Sequence, residues 1–173
     1  MRIYSSQYNL VAGDVIRALI AKELVDIEED LIAEAELDIV SVIREYNRAS
    51  RQVTERARDR ASDGSGETNR FRRQFAKEAG IGVGDDAMGY VIDQMIETIL
   101  HSANFEEIYA TDRDLRAVLT PIMTSHSRGR EDELDSMVRA RIRNLEEGTA
   151  AWDEEYERVI AGLRKTRGLS TEG

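Results

Sequence analysis

Two acidic turns are the first places where this sequence gathers residues able to do chemistry. Asp26, Glu28 and Asp30 alternate in one, and Asp112 and Asp114 in the other. Carboxylates so spaced can supply the oxygen ligands that Ca²⁺ or Mg²⁺ takes. An EF-hand loop also needs a glycine at its sixth position and a glutamate at its twelfth, and neither turn has that frame. Acids ahead of a helix serve equally as caps and dipole partners. A divalent-cation-dependent enzyme built on these turns is therefore the weakest of three functional readings.

The other chemical groups are sparser still. His101 lies four residues after Glu97, whereas di-iron bundles space glutamate and histidine three apart. His126 sits among Thr124, Ser125, Ser127 and Arg128 in an expected loop, with no second histidine near it. Both are expected at the surface or at an element boundary. Gly80, Gly82 and Gly84 spell G-x-G-x-G, but no apolar strand precedes them and no lysine follows, so a helix stop and a hinge outweigh a phosphate cradle. Gly64-Ser65-Gly66 has polar neighbours and is no nucleophile elbow. The chain holds no cysteine, which excludes a thiol nucleophile, a thiolate metal site and a disulfide framework. The sequence thus assigns no catalytic, cofactor-binding or metal-ligating residue, and the protein is expected not to be an enzyme.

Charge is more informative. The net charge of −10 is distributed unevenly: residues 1–43 carry −6, residues 44–77 carry +5, and residues 78–128 return to −6. Arg44, Arg48 and Arg51 step along one helical face, followed by Arg56, Arg58 and Arg60, and then by Arg70, Arg72, Arg73 and Lys77 around Phe71 and Phe75. Arg51, Arg58, Arg70, Arg72, Arg73 and Lys77 are the candidate partner-binding residues. A nucleic-acid-associated protein using residues 44–77 is the second reading, since such a surface can neutralise phosphates. It is not favoured: five acids share the segment, and the flanking acidic stretches would repel a polyanion. The leading reading is a non-enzymatic interaction or scaffold protein with a protein partner or self-association, including a homodimer through the long second helix.

The elements that position these residues are helical. One proline and an abundance of Ala, Glu, Arg, Leu and Ile favour helix over sheet, and 41% apolar residues suffice for a core in 173 residues. A first helix is expected from a Ser5 or Ser6 cap to about Leu24, with Tyr8, Val11, Val15 and Leu19 in one stripe and Ala12, Ile16, Ile20 and Leu24 beside it. A second runs from about Glu34 towards Ala61, its distal part projecting or lying against something acidic. Asn69 to Ala79 forms a short basic helix stopped by Gly80, with Gly82 and Gly84 keeping the connection mobile. Asp85 or Asp86 caps a helix to about Ser102, with Met88, Val91, Ile92, Met95, Ile96, Ile99 and Leu100 inward. The next is expected from Asp112 to Thr124, kinked or ended by Pro121. Glu131 to Glu147, closed by Gly148, and Thr149 to about Arg167 complete the set.

Residues 13–40 align with residues 89–118 with two residues inserted after His101, and nine of 28 positions are identical. This marks a duplicated helix–acidic turn–helix unit. The fold expected is all-α: one helical domain over 1–173, with repeat one at 5–61, a flexible linker at 62–68, a basic helix and hinge at 69–84, repeat two at 85–126, and a C-terminal hairpin at 130–168 packed across the repeats. A minimal two-stranded pairing between the acidic turns is compatible with their alternation. No segment approaches the length of an apolar membrane span, and the N-terminal residues lack a basic and then apolar leader. Cytoplasm, with no membrane contact, is the expected location.

The opening Met1-Arg2-Ile3-Tyr4, the helix from Val11 to Ile20, the acidic turn at Glu28-Glu29 and the run RIRNLEEGTAAWDEEYERV from Arg141 to Val159, followed by Gly168-Leu169, are similar to a family of bacterial helical proteins known as domain of unknown function 507. The resemblance covers most of the chain, least well from Ser62 to Gly84. It implies a compact helical bacterial protein and transfers no activity, cofactor or site residue.

Overall fold

Apolar periodicity of three and four residues, interrupted only at the turns, gives a chain of helices. The computed structural model describes residues 3, 7–61, 65–145 and 149–166. In order these form α1 (Tyr8–Ala21), β1 (Val25–Asp26), α2 (Ile32–Arg60), α3 (Ser65–Glu78), α4 (Ala87–His101), β2 (Glu107–Ile108), α5 (Asp112–Arg141) and α6 (Ala150–Thr166). Short 3₁₀ turns, Glu29–Leu31 and Gly84–Asp86, lead into α2 and α4. The all-α expectation holds. The acidic turns do pair: β1 and β2 are antiparallel, with Val25 opposite Ile108 and Asp26 opposite Glu107. The Ser5 or Ser6 cap, residues 62–64 of the expected linker, the Gly148 stop and the final tail lie outside the described residues.

The core is built where α1 and α4 lie between the first halves of α2 and α5. Tyr8, Val11, Ala12, Val15, Ile16 and Leu19 bury one face of α1, and Val91, Ile92, Met95, Ile96 and Ile99 bury one face of α4. Ile20 and Leu100, expected inside, are exposed in the last turns of α1 and α4, while Leu19 and Ile99 beside them are fully buried. α1 closes with Leu24 N donating to Leu19 O and with Glu23 in the left-handed region at φ 54°, the place usually given to glycine.

Burial follows the alignment at some positions and departs from it at others. Val15 and Val91, Ile16 and Ile92, and Leu19 and Met95 are buried alike. Beyond the turn Val40 and Val118 are buried alike, but Leu37 is 57% exposed whereas the identical Leu115 is 0% exposed. Within the first helices the identical Ile20 and Ile96 also differ, at 38% and 3% exposed, so likeness in sequence becomes likeness in packing at some aligned positions of both helices and not at others.

Pro121 does not end its helix; α5 runs unbroken from Asp112 to Arg141. Its missing N–H would have served the Ala117 carbonyl, and both residues lie on the solvent face, where water replaces the bond. Leu119 and Met123 are fully buried on either side of it. Burying two such side chains is worth about 2–5 kcal/mol each by truncation, against about 3 kcal/mol for an internal proline. The helix expected at Glu131–Glu147 is thus the distal half of α5. A capping box starts α5, with the Thr111 side chain accepting from Asp114 N and the Asp114 carboxylate accepting from Thr111 N.

The C-terminal hairpin does not lie across the core. Leu134, Val138, Ile142, Ile160 and Leu163 form a separate apolar cluster in which α6 packs on the distal half of α5. Trp152 and Tyr156 stack at 4.9 Å, the Tyr156 hydroxyl donates to Asp135 at 2.7 Å, and Trp152 N donates to the Thr149 cap at 3.2 Å. The molecule is a body with two helical arms. Both arms continue helices that leave the β1–β2 ladder and run past the start of α1. At that fork Ile3 is buried, Asn47 of α2 donates to the Ile3 carbonyl and the Tyr8 hydroxyl, and Gln7 donates to the His126 carbonyl of α5. Among the described residues no helix is long and apolar enough to cross a membrane.

Candidate interaction surface

The basic segment folds into the first arm, an antiparallel hairpin of the distal half of α2 with α3. Small residues make it possible: Val53, Ala57 and Ala76 are buried along the contact. Phe71 and Phe75 stack at 6.0 Å. The Arg56 guanidinium sits 4.3 Å over the Phe75 ring and that of Arg60 5.7 Å over Phe71, while Arg56 also pairs with Glu78 at 3.8 Å. These two arginines close the hairpin by cation–π contact rather than facing a partner. The distal part of α2 therefore lies against α3, and α3 begins at Ser65, inside the stretch expected as linker.

Gly80 ends α3 as expected. At φ 68° it lets Ile81 N reach the Ala76 carbonyl and its own N reach that of Lys77, which completes a Schellman turn. Gly82 is a packing glycine and no hinge, for its carbonyl accepts from the Tyr46 hydroxyl at 3.1 Å and its missing side chain leaves room for Asp86 and Tyr90. Burial around that hydroxyl pushes the Tyr46 pKa up. Asp86 makes no side-chain cap; the 3₁₀ turn leads directly into α4.

The six candidate cations take up two faces of the hairpin. Arg51 and Arg58 follow Asn47 and Thr54 along one stripe of α2, on the side where the N-terminal segment packs. Arg70, Arg73 and Lys77 recur at i, i+3 and i+7 on α3, on the face turned away from half-buried Phe71, Arg72 and Phe75. Arg72 is half-buried between these faces, and its Nε and that of Arg51 are shielded without a hydrogen-bond partner among the described residues. Arg58, Arg70, Arg73 and Lys77 are exposed and make no ion pair among the described residues. The structure thus brings three of the six together and separates Arg51 and Arg58 from them.

A groove beside α1 and α5 was not legible in the sequence. His126 is in the interior of α5, not in a loop, and its ring is mostly buried against α1. An ionised carboxylate only accepts, so His126 Nε2 donates to Asp14, at 2.7 Å. Arg17 grips the same carboxylate. An open groove of about 540 Å³ lies beside the pair, lined by Asp14, Arg17, Ala18, Pro121, Ile122, Ser125 and His126. Ser125 is turned about 100° around the helix from His126. His101 does lie at the surface, at the end of α4, its Nδ1 within 2.7 Å of the Glu97 carbonyl. Among the described residues no three acidic, histidine or cysteine side chains converge as metal ligands.

The Asp14 carboxyl is held below its ordinary 3.8 mainly by the His126 hydrogen bond, with help from Arg17. A depressed carboxylate contributes its stability above its unfolded pKa and loses it as pH falls through the folded value. Asp14→Asn is therefore expected to flatten the acid limb of stability. The check is a series of thermal melts from about pH 5 to about pH 2.5, and identical limbs in the two proteins would refute it.

The described residues define an all-α protein, a helical body with two hairpin arms, one of them cationic. The chain belongs to the family of proteins of unknown function DUF507, whose profile matches residues 1–169. No curated protein matches the sequence.

Proposed function

We propose that the protein works without chemistry of its own, as a cytoplasmic interaction or scaffold protein that presents the α2–α3 hairpin to a partner protein. One observation carries this reading: the hairpin uses up its aromatic and small apolar side chains internally and leaves Arg58, Arg70, Arg73 and Lys77 exposed and unpaired among the described residues. A rigid helical hairpin with three of these cations on one face of α3 and Arg58 on α2 suits carboxylates on another fold. A long polyanion suits it less, because Glu55, Asp59 and Glu67 are interspersed and the body on either side is acidic.

The test compares the wild type with a variant carrying Arg58→Glu, Arg70→Glu, Arg73→Glu and Lys77→Glu. Both serve as bait for cross-linked capture from native lysate, and both are titrated with labelled DNA and RNA at several salt concentrations. Proteins held by the wild type should be lost by the variant while its helical circular dichroism is unchanged. Identical captures would reject the hairpin as the working surface. Nucleic-acid binding with a steep salt slope, abolished in the variant, would replace a protein partner with a polyanion.

A further inference from the structure

Resting on that reading, we propose that the hairpin's partner surface is found on a second copy of this chain, so that two molecules pair antiparallel. The outer face of α3, with Arg70, Arg73 and Lys77, would dock on the ladder end of the other body.

The argument is one of polarity along a rod. α2 begins beside the ladder at Ile32 and reaches the hairpin tip at Arg60, so the two ends of the molecule are separated by roughly 40 Å at 1.5 Å per residue. The tip carries the unpaired cations. At the other end Asp26, Glu28, Glu29, Asp30 and Glu106 are exposed and meet no Lys or Arg among the described residues. The ladder adds an independent sign of unrelieved charge, since Asp26 stands directly opposite Glu107, a like-charge register that weakens a strand pair unless a cation sits over it. Apolar surface lies beside these acids: Leu100 and Tyr109, the latter 62% exposed.

Symmetry then selects the arrangement. A parallel pair places like charges together at both ends. An antiparallel pair about a two-fold axis places each hairpin on the other copy's acidic end, makes each contact twice and closes without leaving a free end. Attraction of this kind is screened within about 10 Å at 0.1 M salt, so pairing should weaken as salt rises.

The experiment is a charge swap read by light scattering and sedimentation velocity. The wild type at about 100 µM and low salt should show about twice the 19.6 kDa chain mass and fall towards one chain mass at about 0.5 M salt. A tip variant (Arg70→Glu, Arg73→Glu, Lys77→Glu) and an end variant (Glu28→Lys, Glu29→Lys, Glu106→Lys) should each be monomeric alone. Mixed in equal amounts they should pair, because both contacts are then attractive, one with its signs exchanged and the other with the wild-type signs. A wild type of one chain mass at low salt, a tip variant that dimerises like the wild type, or a mixture that stays monomeric would each overturn the proposal. Failure here, with lysate partners still lost by the four-residue variant, leaves the broader reading intact and moves the partner to another protein.

Discussion

Gly82→Ala is expected to destabilise the protein by about 3 kcal/mol, the upper part of the range for overpacking a filled site. A Cβ at this position would lie 2.6 Å from the Asp86 carbonyl oxygen and 2.7 Å from Tyr90 Cβ. Neither is the end of a flexible side chain, so the 3₁₀ turn and the first turn of α4 must shift. That shift also strains the bond from the Tyr46 hydroxyl to the Gly82 carbonyl, on which α2 and the hairpin's return are joined. For a chain of this size each kcal/mol lowers the melting temperature by roughly 2–4 °C, so a fall of roughly 6–12 °C is expected. Gly84→Ala is the control. It meets open space but sits at φ 66°, so it should cost only about 1 kcal/mol. A Gly82→Ala protein that melts with the wild type, or above Gly84→Ala, would show that the connection yields.

The three glycines of that G-x-G-x-G run illustrate what could be read in advance. Gly80 as a helix stop is a local property, visible in residue type and in the end of an apolar period. Gly82 as a packing site depends on Tyr46, 36 positions earlier, and on how α4 enters the body. The same division runs through the fold. The core stripes of α1 and α4, the pairing of the acidic turns and the Thr149 cap follow from patterns within a few residues. The box formed by Thr111 and Asp114 is equally local, although acids at that spacing also fit a metal-ligand reading.

Other features were out of reach because their causes are distant or global. Pro121 breaks a local rule, and only the burial of Leu119 and Met123 against α1 and α4 outweighs it. Nothing near His126 announces Asp14, 112 residues away. The count of basic residues in 44–77 overstated the free surface, since Arg56 and Arg60 are spent on aromatic rings once α3 folds back. The hairpin's period was legible on each helix, but the fold-back was not, because alanine marks a close helix contact and a thin apolar seam alike. Of the candidate surface, the residue types were legible; their division between two faces required the hairpin.

Asn47→Leu should have an effect of similar size and a different character. Asn47 is 8% exposed and uses both hydrogens of its amide, donating to the Ile3 carbonyl at 2.9 Å and to the Tyr8 hydroxyl at 2.6 Å. Leucine keeps the volume and leaves both acceptors buried without a donor, which costs about 1–3 kcal/mol for each group and about 3 kcal/mol in all. Asn47→Asp should be at least as harmful, because an ionised carboxylate would face a carbonyl oxygen with nothing to donate. The loss should be concentrated at the fork, so hydrogen exchange is expected to quicken in the first turn of α1 before it does in α4. A double-mutant cycle makes the argument strict: with Tyr8→Phe one of the two acceptors is gone, and Asn47→Leu should then cost less by about 1 kcal/mol. Strict additivity, or an Asn47→Leu protein within about 0.5 kcal/mol of the wild type, would mean that the fork is held by the packing of Ile3 alone.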